Sequence, residues 1–161
     1  MEITSFFSTE ELEIILKLFT ALTLGMSLGV ERAIVGKTAG MRTYGLVTMG
    51  SALFIIIAVL ASGGYSTSAL FSDSSARITA AIIQGIGFIG AGLIFFKVKD
   101  EKVSGVTTAA GIWVASGIGV AIGYGYYLIA VVTTVFTLFV FTALWYIENK
   151  VKSFAHYSSE E

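Results

Sequence analysis

Five apolar stretches, each near the length that spans a bilayer, constrain this chain more than any other feature. They run approximately over Leu12–Val30, Tyr44–Ser62, Ile78–Phe96, Val106–Ile122 and Tyr126–Ile147. A helix of about 20 residues crosses a hydrocarbon core of about 30 Å. Hydrophobic residues make up 55% of the chain and charged residues 13%, about half the usual share of a soluble domain. So little charge cannot cover a water-facing surface. The expectation is an all-α fold, a polytopic membrane helix bundle with five transmembrane helices. The fourth stretch is short and rich in Gly, Ala, Ser and Thr, which leaves a re-entrant half-helix pair as its alternative.

Glycine says how such helices pack. The segment Arg77 to Gly125 holds ten of the chain's 18 glycines in 49 residues. Each costs roughly 1 kcal/mol against alanine in a water-exposed helix, but small residues let helix backbones touch in a bilayer. Gly25–Gly29 and Gly119–Gly123 are GxxxG pairs, and Gly85, Gly87, Gly90, Gly92 and Gly105 are further helix-packing candidates. In the third stretch Ile78, Ile82, Ile86, Ile89 and Leu93 share one face, expected toward lipid. Ala80, Gly87, Gly90 and Ala91 lie largely opposite, where a neighbouring helix can approach. GIGFIG has nucleotide-motif spacing, but it sits inside an apolar span rather than after a strand, so it is not a nucleotide site. The chain has no proline, so helix breaks must come from glycine.

Charge orients the bundle. Arg32, Lys37 and Arg42 follow the first stretch, Lys97, Lys99 and Lys102 the third, and Lys150 and Lys152 the fifth. Arg77 stands on the other side, with the acidic Glu2, Glu10 and Glu11. The positive-inside rule places the N-terminus outside and the C-terminus in the cytoplasm, which needs an odd number of crossings. The acidic leader, with no small-residue cleavage site after the first stretch, argues against a cleavable signal peptide. Tyr124, Tyr126 and Tyr127 at one end of the last stretch, and Trp145 and Tyr146 at the other, form the expected aromatic belt. Residues 1–147 read as one transmembrane domain and 148–161 as a short polar cytoplasmic tail. The lipid bilayer is the implied environment. A net charge of -1 gives no reason to expect nucleic acid.

Few residues can carry chemistry. There is no cysteine, and a lone His156 cannot make a zinc site. No Ser/His/Asp set or metal-spaced ligand group can be assembled, so the chain does not read as an enzyme and no cofactor is implied. Glu10, Glu13, Lys17, Thr20, Ser27 and Glu31 share one broad face of the first stretch. That face is either a polar wall lining a path or a buried face with Lys17 reaching to the interface. Glu31, Arg32, Arg42 and Thr43 sit at the cytoplasmic edge, where an ion pair between Glu31 and an arginine would fix the loop. Gln84 lies mid-helix and can bond a neighbouring helix. Thr107 and Thr108 open the fourth stretch, where they can cap its helix or contribute to a polar pocket. With Arg77 these residues complete the candidate polar cluster. Glu31 is the one candidate for a metal.

Three blocks carry a resemblance. GVERAIVGKTAGMRTYGLVTMGSALF, ARITAAIIQGIGFIGAGLIF and VSGVTTAAGIWVASGIGVAIG together closely resemble the MgtC/SapB family of bacterial inner-membrane proteins, over about residues 20 to 125. Carried over by position, the family's marked residues are Glu31, Arg32, Gly40, Arg42, Thr43, Arg77, Gly85, Gly87, Gly90, Gly92, Gly105, Thr108, Ala109, Ala110 and Trp113. Some members have arginine, asparagine and cysteine where this chain has Ser104, Thr107 and Val114, and a soluble C-terminal domain as well. The chain looks more like the short SapB-type branch. The resemblance implies an inner-membrane, multi-pass protein of magnesium homeostasis and low-magnesium adaptation. It further implies a homo-oligomer acting on other membrane proteins, such as an ATP synthase or a cation transporter. The alternative is a transporter or channel for Mg²⁺ or another ion, with Mg²⁺ as ligand, using the polar face of the first helix and the loop charges.

Overall fold

A computed structural model describes residues 8–65, 73–97, 102–144, 146–147 and 150. Among them, five helices and one small hairpin follow in the order α1 (Thr9–Ile34), α2 (Met41–Ala61), α3 (Asp73–Gly92), β1 (Phe95–Lys97), β2 (Lys102–Ser104), α4 (Val106–Gly123) and α5 (Tyr127–Phe139). Four helical stretches, Thr9–Ile34, Met41–Ala61, Val106–Gly123 and Tyr127–Leu144, are long and apolar enough to cross a membrane. The fifth, α3, has 20 residues, about 30 Å at 1.5 Å each. The polar tail beyond Lys150, Trp145 and the leader Glu2 lie outside the described residues.

Local chemistry sets the helix ends. Ser8 and Glu11 form a capping box at the start of α1: the Glu11 amide donates to Ser8 Oγ at 3.2 Å, and the Ser8 amide to Glu11 Oε2 at 2.8 Å. At the other end Gly36 takes φ +66°, and the Lys37 amide donates back to the Arg32 carbonyl at 2.9 Å. Gly125 closes α4 in the same way, at φ +86° with the Tyr126 amide on the Ala121 carbonyl at 2.8 Å. Glycines with positive φ thus follow α1, α2 and α4 in a chain without proline.

The α4 helix is the centre of the bundle and packs against all four other helices. It is one unbroken helix, not a half-helix pair. Its abundance of small residues is what lets neighbours close in around it. Ala109, Gly111, Ile112, Ala115, Ser116, Ile118, Gly119 and Ile122 are all buried. A Cβ on Gly119 would run into the Thr48 carbonyl of α2, and one on Gly123 would lie 2.6 Å from Ile55 Cβ. Gly25 and Gly29 of α1 meet the backbones of Tyr44 and Met41 on α2 equally closely. Ser51 and Ser116 share a hydrogen bond of 2.9 Å across the α2–α4 seam.

Two expectations are corrected around α3. The third apolar stretch is not helical to Phe96; the helix ends at Gly92, and Phe95–Lys97 pair antiparallel with Lys102–Ser104. Phe-Phe and Val, all strand formers, follow the last glycine of the helix and carry the chain into the hairpin. The isoleucine face of α3 is also only partly open: Ile86 is buried while Ile89 stays 48% exposed. Ile78, Ile82, Ile86 and Ile89 line a groove of about 530 Å³ against Val47 and Phe54 of α2. Gly85, Gly87 and Gly92 have no other atom within 4 Å of where a Cβ would stand, and Gly90 meets Ala109 in ordinary contact at 3.7 Å.

Candidate functional site

Among the described residues the charged groups lie near the two ends of the bundle. At one end α1 stops, α2 and α4 begin, and α5 finishes. Arg32 is buried there, 3% exposed, in the last turn of α1. Its Nη1 donates to Glu31 Oε2 at 3.3 Å, and its guanidinium carbon stands 4.3 Å above the centre of the Phe141 ring. The Phe141 ring meets Tyr44 edge-on, with centroids 6.3 Å apart and planes at 88°. Tyr44 Oη in turn donates to the Thr108 carbonyl at 3.5 Å, a long bond at the first turn of α4. Arg32 Nε is buried without a partner among the described residues.

This arrangement needs Gly111. A Cβ there would strike Tyr44 Oη and lie 2.6 Å from Phe141 Cζ. It also needs the change in α5 over Val140–Leu144, where the helix widens into a π turn and delivers Phe141 to the interior. The cluster thus ties α1, α2, α4 and α5 together around the Glu31–Arg32 ion pair.

Of the polar residues expected to act together, the structure joins only Glu31, Arg32 and the Thr108 backbone. The anticipated ion pair forms with the neighbouring Arg32 and not with Arg42, which is exposed across the α1–α2 loop. Arg42 and Thr43 line a separate groove with Lys37. Arg77 and Gln84 are exposed on α3, and Gln84 makes no hydrogen bond among the described residues. Thr107 is exposed. Capping by the threonine hydroxyls is corrected: the cap position of α4 is Gly105 at φ +92°, without a side-chain cap bond. A Cβ on Gly105 would run into the Leu93 carbonyl, so the hairpin and α4 meet at a point only glycine fits.

The broad polar face of α1 is not a continuous wall. Thr20 and Ser27 spend their hydroxyls on the Leu16 and Leu24 carbonyls of their own helix. Lys17 itself is 1% exposed. Its ammonium pairs with Glu13 at 2.8 Å and stands 3.3 Å from the centre of the Tyr65 ring. Tyr65 Oη donates to the Gly123 carbonyl at 3.0 Å, so this far end is tied as firmly as the basic one. Nearby, Tyr124 Oη donates to the Ser75 carbonyl at 3.1 Å and bonds Thr79 Oγ1 at 2.8 Å.

Sequence reasoning passed over Tyr44, Phe141 and Gly111. Tyr44 and Gly111 stand inside the resembling blocks, and an aromatic at the mouth of an apolar span was a signal available for Tyr44. Nothing in the sequence marks Phe141 among the 12 phenylalanines, because its role depends on the π turn.

Comparison with known proteins comes down on one family. The model of the MgtC family matches residues 18–150. Protein SrpB of Synechococcus elongatus is 37% identical, over 76% of this chain and 69% of its own length. Protein SapB of Bacillus subtilis is 35% identical, over 86% of this chain and 60% of its own. The Escherichia coli protein named "Putative magnesium transporter YhiD" is 40% identical, over 80% of this chain and 59% of its own. The chain thus spans less than two thirds of the last two. No solved structure matches it.

Proposed function

Because the chain belongs to the MgtC family, a family of membrane proteins, we propose that it serves magnesium homeostasis by docking other membrane proteins against its third helix. On this reading it spans the bacterial inner membrane five times, with the basic end in the cytoplasm. The carrying observation is Gln84. It lies mid-way along α3, exposed and without a hydrogen bond among the described residues. Ala80, Gly87 and Ala91 share its exposed side. An amide facing hydrocarbon is costly, and a stripe of small residues allows another helix to approach and satisfy it. Among the described residues no helix does so, which supports a neighbour from another chain, a partner protein or a second copy.

The transport reading has a relative's name in its favour and the geometry against it. Mg²⁺ is usually met by carboxylates, often through retained water. Among the described residues no three of His, Asp and Glu gather where they could hold a metal ion. Glu31 is the one carboxylate near the basic end of the core among the described residues, and Arg32 pairs with it.

Reconstitution in liposomes separates the two readings. We expect no Mg²⁺ flux above the empty-vesicle background. We also expect Gly87→Leu, which places a large side chain where there is open space, to abolish co-purification of partners from membranes. Flux that Glu31→Gln abolishes would overturn the docking reading.

A further inference from the structure

The α1–α2 loop overhangs a groove that the cluster at Arg32 does not use. It has a volume of about 960 Å³ and runs between the second half of α1 and the first turns of α2. Leu22, Met26 and Leu46 line it along the two helices, and Lys37, Arg42 and Thr43 line its loop end, or mouth. Among the described residues no carboxylate lines it. Lys37 and Arg42 are both exposed, and neither side chain has an ion pair or hydrogen bond among the described residues.

Two properties of the groove point to one occupant. Charge comes first: two unpaired cations beside a threonine hydroxyl complement a phosphate. Length comes second. From Ala33 to Leu22 the groove follows α1 for about 16 Å at 1.5 Å per residue, and its walls are apolar. A free phosphate would use the mouth and leave that trough empty. A phospholipid fills both, with its headgroup on the cations and an acyl chain along the walls. Basic pockets between membrane helices are suited to such headgroups.

We propose that this groove is a binding site for an anionic phospholipid of the leaflet at the basic end of the bundle. Lys37 and Arg42 hold the phosphodiester, Thr43 adds a hydroxyl donor, and Leu22, Met26 and Leu46 receive the first acyl chain. The site is independent of partner docking, which involves α3.

The test uses the full chain purified in a neutral detergent, with phosphatidylglycerol, phosphatidylcholine or inorganic phosphate added. Retention is read by native mass spectrometry and stabilisation by thermal unfolding. Phosphatidylglycerol is expected to be retained and to raise the Tm, with phosphatidylcholine retained roughly tenfold less. Lys37→Gln with Arg42→Gln is expected to reduce phosphatidylglycerol to the phosphatidylcholine level, and Arg77→Gln to leave it unchanged. Leu46→Trp keeps both cations and fills the trough from an exposed position. It is expected to lower retention several-fold while the fold, read by circular dichroism, persists. Equal retention of the two lipids overturns the proposal. So does wild-type retention in the double variant, or inorganic phosphate reproducing the whole stabilisation.

Discussion

A guanidinium that is 3% exposed has to be accounted for donor by donor, and Arg32 makes that account short. One nitrogen is taken by Glu31, the face by Phe141, and Nε by nothing among the described residues. Lysine cannot replace it, because the stacking needs a flat, weakly hydrated cation. We expect Arg32→Met to cost about 3 kcal/mol, since it leaves the Glu31 charge half-buried without its partner. Thermal unfolding in detergent measures this; Arg42→Met, on the exposed side of the loop, is expected to shift stability by less than about 0.5 kcal/mol. An arginine partner for Glu31 was legible in the sequence, because a carboxylate at that depth needs one. Which arginine it would be was not, since the answer depends on the π turn that brings Phe141 beneath Arg32 and away from Arg42.

The same distinction governs the elements. Glycine pairs at four-residue spacing promised close helix contacts, and Gly25, Gly29, Gly119 and Gly123 lie against the backbone or side chains of α2. The glycines of α3 look identical in sequence but mostly face open space. Gly119→Ala should therefore destabilise the bundle by about 1–3 kcal/mol through overpacking. Gly87→Ala should be neutral, or stabilising by up to about 1 kcal/mol. Parallel unfolding curves of the two variants test this, and equal losses would count against the packing described. The Ser51–Ser116 bond offers a finer test. A double-mutant cycle to alanine should return a coupling of about 0.6 kcal/mol, the average for such bonds in bilayers. The fourth apolar stretch, the weakest as a span on its composition, is the most enclosed helix of the fold. Its composition is that of a helix which must touch four neighbours.

For the whole molecule, the charge pattern makes a prediction about topology that the absence of cysteine makes easy to check. Single cysteines at Ser8, Lys37, Asp73 and Val103 should react with an impermeant maleimide from alternating sides, outside at Ser8 and Asp73 and inside at Lys37 and Val103. Asp73 and Val103 labelling from the same side would mean that α3 does not cross. By itself the sequence determined the class of solvent, the number and approximate limits of the apolar stretches, and their stops at glycine. All of these follow from hydropathy and backbone freedom, which are properties of short segments. Only the tertiary structure decided which helix lies in the middle, which glycines touch a neighbour and which charges are buried. Those outcomes depend on the rotation of each helix about its axis, and that rotation is set by packing against all the others at once.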